Sequence, residues 1–140
     1  MTTPIIANVF KHTLLGSLQD FYYGSGTVLK GALFDSSFSP NADMDWDGIS
    51  EDEITGPGYP TGGIELTGLI FLGTPSRNLD AEDLIFPAVT LVNVKFVVLY
   101  LINPTPSNIL MGIWPLVEAQ SPNNTDFEIK WNVNGIIEIV

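Results

Sequence analysis

The feature that most constrains this chain is the way turn-forming residues interrupt its apolar residues at short intervals. From residue 64 onward, apolar runs alternate with clusters of Gly, Pro, Asn and Ser. Such clusters mark turns, and apolar runs of this length suit strands better than helices. Roughly seven or eight short strands with this spacing predict a mainly β protein, built as an antiparallel β-sandwich or small barrel.

Individual runs predict the character of single strands. The run from Val94 to Ile102 is apolar at nearly every position, which predicts a central strand buried on both faces. In residues 127–131 apolar and charged side chains alternate, as in a strand with one face in water. Residues 64–72 predict a strand pair or one bent strand. Pro87 lacks a backbone donor and marks a bulge, an edge or a corner. The Asn-Gly pair at 134–135 predicts a tight hairpin into the last strand.

The first half of the chain has a different pattern. Apolar residues at spacings of three and four predict a short N-terminal helix over residues 5–21. Residues 28–34 read as a strand, and residues 35–63 form a long acidic loop with many turn formers. Because no linker is visible, residues 1–140 are expected to fold as a single domain.

The charge balance and the absence of cysteine exclude several functions. The chain carries 16 Asp and Glu against 5 Lys and Arg, for a net charge of -11. Nucleic-acid binding needs a basic surface, and anionic membranes repel an acidic one, so we expect neither as a partner. With no cysteines, disulfides, thiolate catalysis and cysteine-ligated zinc are also excluded.

Several short segments follow one another in an order that resembles one family of virion proteins. The most specific is an acidic loop that ends in Glu53 and runs into the Gly-x-Gly-Tyr-x-x-Gly-Gly turn of residues 56–63. The others are Ala7-Asn8-Val9-Phe10, Leu29-Lys30-Gly31-Ala32-Leu33, Ile64-Glu65-Leu66-Thr67, Val97-Val98-Leu99-Tyr100 and the Phe-x-Ile-x-Trp-x-x-x-Gly-Ile pattern of residues 127–136. Together they resemble the capsid decoration, or cement, proteins of tailed phages.

The resemblance implies a β-rich, non-enzymatic subunit, often a homotrimer, on the outer capsid surface of the virion. Its partners would be the major capsid protein and further copies of itself. Its role would be to stabilise contacts between major capsid subunits. Some relatives are described as tail or head-fibre proteins, so a fibre module that contacts the host surface is the alternative.

Aromatic and apolar residues outside the expected strands are candidates for contact with a partner. Trp46 and Tyr59 lie in the long loop, and aromatic side chains concentrate at binding hot spots. Ile54 in the same loop and Phe10 in the N-terminal segment complete the set of expected interface residues. Trp114 falls on an expected strand, so we assign it to the core.

The sharpest local motif is a run of alternating aspartates. Asp43, Asp45 and Asp47, followed by Gly48, match the first half of a calcium loop, in which three carboxylates converge around a sharp turn. The bidentate Glu that should close the loop is missing, because Ile54 occupies that position. We therefore expect a solvated acidic loop without a cofactor, and a calcium site on these aspartates is the alternative.

The chain shows no complete catalytic set, and we predict that it is not an enzyme. His12 is the only histidine and has no obvious charged partner in the sequence, which leaves few options for a nucleophilic triad. The carboxylates of residues 51–53 could serve glycoside cleavage, but no apolar pocket around them is indicated. The glycine turn of residues 56–63 lacks the Lys and Ser or Thr of a phosphate loop and is interpreted as a turn that needs positive φ.

Overall fold

The computed structural model describes residues 3–11, 28–68, 70–72, 77–102, 108–132 and 136–139. The strands are β1 (Ile5–Ile6), β2 (Val28–Asp35), β3 (Ile64–Glu65), β4 (Ile70–Leu72), β5 (Arg77–Asp80), β6 (Leu84–Val89), β7 (Val94–Ile102), β8 (Ile109–Gln120), β9 (Thr125–Ile129) and β10 (Ile137–Ile139). The described helical segments are α1 (Trp46–Ile49), a 3-10 helix (Ser50–Asp52) and a helical turn at residues 8–11. The mainly β, antiparallel fold confirms the predicted class and is consistent with a β-sandwich or small barrel.

The largest sheet has five strands in the order β1-β8-β7-β2-β3. Every pairing in it is antiparallel. β7 lies in the middle of this sheet and is buried along nearly its whole length, as the apolar run from Val94 to Ile102 predicts. A strand with neighbours on both edges and side chains covering both faces has few positions that favour a polar residue, and the half-buried Lys95 near its start is one of them.

Two smaller sheets complete the described architecture. One has three strands in the order β10-β5-β4, and the other is a two-stranded ribbon of β6 and β9. In the ribbon, side chains alternate between buried and exposed along β9, which confirms the predicted period of two. The ladder shifts register between Phe86 and Val89, and Ala88 has φ of 49°. Pro87 therefore marks a bulge, one of the three alternatives that its position left open.

The core combines aliphatic side chains of the central strands with a group of aromatic rings. Phe34, Phe86, Leu99 and Met111 are among its fully buried residues. The ring of Phe34 lies 4.6 Å from that of Phe38 and 6.3 Å from that of Trp46, measured between centroids. Such tilted and edge-on contacts add to the stabilisation that burial gives, by about 1 kcal/mol for each pair.

The N-terminal helix begins later than predicted. Ile5 and Ile6 form a strand that pairs with Ile113 and Gly112 of β8. Within the described residues 3–11, only residues 8–11 are helical. Two adjacent isoleucines suit an edge strand as well as one face of a helix, and the long β8 offers backbone partners that a helix would leave unused. The predicted residues 12–21 lie outside the described residues, and His12 is among them.

Two strand connections also differ from the predictions. The last strand, β10, pairs with β5, whereas β9 pairs with β6, so the predicted tight hairpin between β9 and β10 is wrong. The Asn134–Gly135 pair itself lies outside the described residues. An Asn-Gly pair favours a turn, but it does not select the strand that pairs afterwards. Residues 64–72 are two strands around Gly68, and they belong to different sheets because β3 pairs with β2 and β4 pairs with β5.

Among the described residues, no helix has the length and apolar character needed to cross a membrane.

Candidate functional site

The densest polar network in the described structure joins the glycine turn to the large sheet. Two successive turns shape this segment, closed by hydrogen bonds from Tyr59 N to the Gly56 carbonyl and from Gly63 N to the Pro60 carbonyl. Gly58, Gly62 and Gly63 all have positive φ, between 76° and 88°. These values confirm that the turn needs left-handed backbone, which glycine adopts without steric cost.

The Glu53 carboxylate holds the far end of this turn. One carboxylate oxygen, Oε1, accepts hydrogen bonds from the Tyr59 hydroxyl at 2.7 Å and from Gly62 N at 2.9 Å. The other oxygen, Oε2, lies 3.0 Å from the same Gly62 N. Hydrogen bonds to an ionised acceptor are the stronger class, so a single side chain fixes both the tyrosine and the glycine backbone.

Tyr59 links the turn to β2 and to the ribbon. Its hydroxyl donates to Glu53 and accepts from Leu33 N at 2.9 Å, and its ring stacks on Phe86 with centroids 5.6 Å apart. Burial is the largest cause that raises the pKa of the Tyr59 hydroxyl, and the hydrogen bond to Glu53 raises it further. The hydroxyl therefore keeps its proton and acts as a fixed donor.

Tyr100 of β7 holds the turn from the opposite side. Its hydroxyl donates to the Gly62 carbonyl at 2.6 Å, and its ring stacks on Trp46 with centroids 3.6 Å apart and planes 6° from parallel. Burial raises the pKa of Tyr100 to about 12, with a smaller contribution from the Glu53 charge. We call Glu53, Tyr59, Gly62, Gly63 and Tyr100 the Glu53 clamp.

The backbone of the clamp lies directly on β2. A Cβ atom on Gly63 would overlap the carbonyl oxygen of Gly31, and φ at Gly63 is +76°. Gly31 is restricted as well, because a Cβ there would lie 2.5 Å from a methyl group of Leu84. Gly63 thus allows its backbone to touch that of β2, and Gly31 leaves room for the Leu84 side chain.

The chemistry of the clamp is that of a scaffold. Each Glu53 oxygen accepts a hydrogen bond from the protein, and the tyrosine hydroxyls stay protonated over the ordinary pH range. No histidine, second carboxylate or cysteine takes part in these hydrogen bonds. The arrangement positions backbone.

The predicted calcium ligands have separate roles. Asp43 accepts a hydrogen bond from the Asn8 amide at 2.7 Å. Asp45 caps α1, because its side chain accepts from Gly48 N at 2.7 Å. Asp47 lies in the first turn of that helix, where a negative charge is favourable. Within the described residues, no three acidic or histidine side chains group as metal ligands would, so these aspartates do not converge as the motif predicts.

The predicted interface residues lie mostly inside the subunit. Phe10, Trp46 and Ile54 are buried, with Trp46 only 6% exposed, and Tyr59 is half-buried in the clamp. The physical reason is the path of the long loop, which packs its apolar side chains against the large sheet. Trp114 is buried, as its predicted core role requires.

The long loop of residues 35–63 is accordingly ordered, and we call it the acidic cover. Backbone hydrogen bonds tie it down from Ser36 N to the Asn93 carbonyl, from Asn8 N to the Ala42 carbonyl and from Ile54 N to the Leu33 carbonyl. The acidic side chains of residues 43–52 are exposed, whereas Trp46, Ile49 and Ile54 are buried. The loop therefore presents a fixed acidic surface.

Exposed apolar side chains occur elsewhere, at positions that the sequence did not single out. Val117 is 68% exposed, Val92 66% and Ile85 50%. The exposure of Ile85 could have been predicted from the alternation of side chains along a strand, because its neighbours Leu84 and Phe86 are buried in β6. Val117 gives no such signal, because it lies where β8 leaves the regular ladder.

No protein-family model, curated protein or solved structure matches this chain. The function is therefore argued from its residues and their geometry.

Proposed function

We propose that the chain is a non-enzymatic decoration protein of a tailed-phage virion. In this proposal it binds the outer surface of the head as a homotrimer and stabilises contacts between major capsid subunits. It works without a cofactor and without turnover of a substrate.

The observation that carries the proposal is the Glu53 clamp. The segments that resemble decoration proteins supply its parts: Glu53 and the glycine turn, Gly31 of the second strand, and Tyr100 at the end of the central strand. A motif whose residues only position backbone is what a structural protein needs.

The mode of action follows from rigidity and contact area. The Glu53 clamp and the acidic cover fix irregular segments to the large sheet, so the subunit resists deformation. Stable protein interfaces bury on the order of 1,600 Å² in total. A trimer that spans neighbouring capsid subunits buries such an area across the boundary between them. A force that separates the capsid subunits must also break these contacts.

Binding to heads tests the proposal directly. Purified chain would be titrated onto expanded and unexpanded heads that lack it, and bound protein measured by sedimentation. We expect saturable binding to expanded heads in hundreds of copies, with a higher temperature of head disruption. Failure to bind expanded heads would refute the proposal, and side-chain density in cryo-electron microscopy only at the tail would favour the fibre alternative.

A matched pair of charge reversals locates the contact. Asp52 is exposed on the acidic cover, and Glu65 is exposed on β3 outside that cover. If the cover faces the capsid, Asp52→Lys lowers the affinity for expanded heads about tenfold, whereas Glu65→Lys leaves it within about twofold. Equal effects of the two variants would place the contact elsewhere on the subunit.

A further inference from the structure

The two-stranded ribbon has edges of different character. On β6, Pro87 brings no backbone donor and the bulge at Ala88 bends the strand. Proline and bulges are the means by which natural sheets prevent further strands from pairing at an edge. β9 contains neither, and in the described part of the chain it pairs with β6 alone. One edge is therefore blocked, and the other has no strand paired to it among the residues that the structure describes.

The open edge of β9 faces a wall formed by an irregular part of β8. Between the pairs Val94–Gln120 and Phe96–Pro115, β8 carries a long bulge at residues 116–119, opposite Lys95 alone. The Lys95 ammonium donates to the Leu116 carbonyl at 2.7 Å and to the Val117 carbonyl at 3.1 Å. These charge-assisted hydrogen bonds hold the bulge in shape, although the Val117 side chain is mostly exposed.

A groove of about 300 Å³ lies between β9 and this bulge. Its apolar lining comes from Leu116, Val117, Phe127 and Ile129, and its carboxylates come from Glu118 and Glu128. Lys130 also lines the groove, but its ammonium lies 3.7 Å from the Glu128 carboxylate. The groove thus combines a strand edge that has no partner among the described residues, an apolar floor and two carboxylates, one of which is paired with Lys130.

We propose that this groove binds an extended peptide segment of another protein, which adds to β9 as a further strand. An open strand edge offers backbone donors and acceptors that only an extended chain can match. The apolar floor selects apolar side chains at alternate positions, and the carboxylates of Glu118 and Glu128 select a Lys or Arg between them. This inference does not depend on the capsid proposal.

The charge of the chain favours a different protein over a second copy. Each copy has a net charge of -11, so two copies repel each other before contact, whereas a basic segment is attracted. The same argument excludes an acidic peptide as the occupant.

Nuclear magnetic resonance titration with synthetic peptides tests the proposal. The probe is a capped hexapeptide of alternating Val and Lys, with one control that has Pro at the third position and one in which Glu replaces Lys. We expect saturable shifts of the amide signals of residues 116–120 and 126–130 with the Val-Lys peptide. Both controls should bind at least about tenfold more weakly, since one cannot pair and the other is repelled.

Two matched pairs of variants separate the groove from the rest of the surface. Val117→Ser should weaken binding of the Val-Lys peptide about tenfold, and Val92→Ser, at an equally exposed valine outside the groove lining, should leave it unchanged. Glu128→Gln should weaken binding, whereas Glu65→Gln should not. An absence of shifts at millimolar peptide, shifts confined to the acidic cover, or shifts of residues 126–130 with protein concentration alone would overturn the proposal.

Discussion

The Glu53 clamp and the groove beside β9 are two irregular regions that treat their polar groups in opposite ways. In the clamp, Glu53, Tyr59 and Tyr100 donate to or accept from other groups of the chain, at 2.6 to 3.0 Å. At the groove, a strand edge that has no partner among the described residues and the exposed Val117 lie beside the carboxylates of Glu118 and Glu128. Hydrogen bonds inside the subunit therefore identify residues that stabilise the fold. Unpaired edges beside exposed apolar side chains mark what is left for a partner.

Substitution at Gly63 should produce the largest effect. Gly63→Ala forces a Cβ atom into the Gly31 carbonyl at a backbone conformation with positive φ, so the clamp must open. We expect a loss of at least about 3 kcal/mol in the free energy of unfolding, measured by urea denaturation. Gly48→Ala is the control, because its Cβ meets only the Asp45 carboxylate, and it should change stability by less than about 1 kcal/mol. Similar losses for both variants would contradict the special role of Gly63.

Removal of the Tyr59 hydroxyl should be the next largest effect. Tyr59→Phe keeps the ring but leaves the Leu33 amide and one oxygen of Glu53 without this partner, which costs about 2 kcal/mol. Tyr100→Phe removes one hydrogen bond, to the Gly62 carbonyl, and should cost about 1 kcal/mol. Thermal or urea unfolding of both variants measures the order, and a reversed order would show that Tyr100 is the main support of the turn.

The clamp should also make the protein sensitive to alkali. The pKa of Tyr100 is raised to about 12 and that of Tyr59 is raised as well, from an ordinary value of 10.0. Above about pH 10 the unfolded chain loses protons that the folded chain retains. The free energy of unfolding therefore has its full value below pH 10. It falls as pH rises above 10, by up to about 1.4 kcal/mol per pH unit for each tyrosine. Urea denaturation between about pH 9 and 12 measures the slope, and Tyr59→Phe should make it shallower. A slope unaffected by that substitution would count against this assignment.

Substitution of Asp45, in the acidic cover, should have a smaller effect on stability. Asp45→Ala removes the cap of α1 and should lower stability by about 1 kcal/mol, whereas Asp45→Asn, which can still cap, should cost much less. Added calcium should leave the melting temperature of the unmodified protein unchanged. A rise in melting temperature with calcium that Asp45→Asn abolishes would restore the calcium site.

The smallest effect on stability is expected at the groove. Val117→Ser alters a side chain that is 68% exposed, and substitutions at such positions stay within about 0.5 kcal/mol. Circular dichroism melting of this variant against the unmodified protein is the measurement. A large loss would mean that Val117 supports the fold, and the contrast between the two regions would then fail.

The sequence predicts those parts of the fold whose determinants are local. The alternation along residues 127–131 and the apolar run of β7 each depend on a few neighbouring side chains, and the structure confirms them. For Pro87 the sequence left a bulge, an edge and a corner open, and the register shift of the ladder identifies the bulge. Pairing partners are not local. Ile137–Ile139 pairs with Arg77–Asp80, and no residue near the end of the chain specifies that choice.

The candidate site shows the same division. The positive φ of the glycine turn follows from residue type, but the burial of Trp46 follows from its stack on Tyr100, far along the chain. Asp45 illustrates an ambiguity that sequence alone leaves open, because aspartate before a helical turn suits a cap as well as a cation. Only the position of Gly48 N relative to its carboxylate distinguishes the two roles.

The clamp has a consequence for the time course of folding. It joins Tyr59 to Leu33 across 26 residues and Tyr100 to Gly62 across 38. Contacts between distant residues form after large losses of chain entropy, so all-β proteins of this kind fold in milliseconds to seconds. We expect β2 and β7 to pair before the glycine turn closes over them. Until that closure, Trp46 remains in water, and its fluorescence reports the last step of folding.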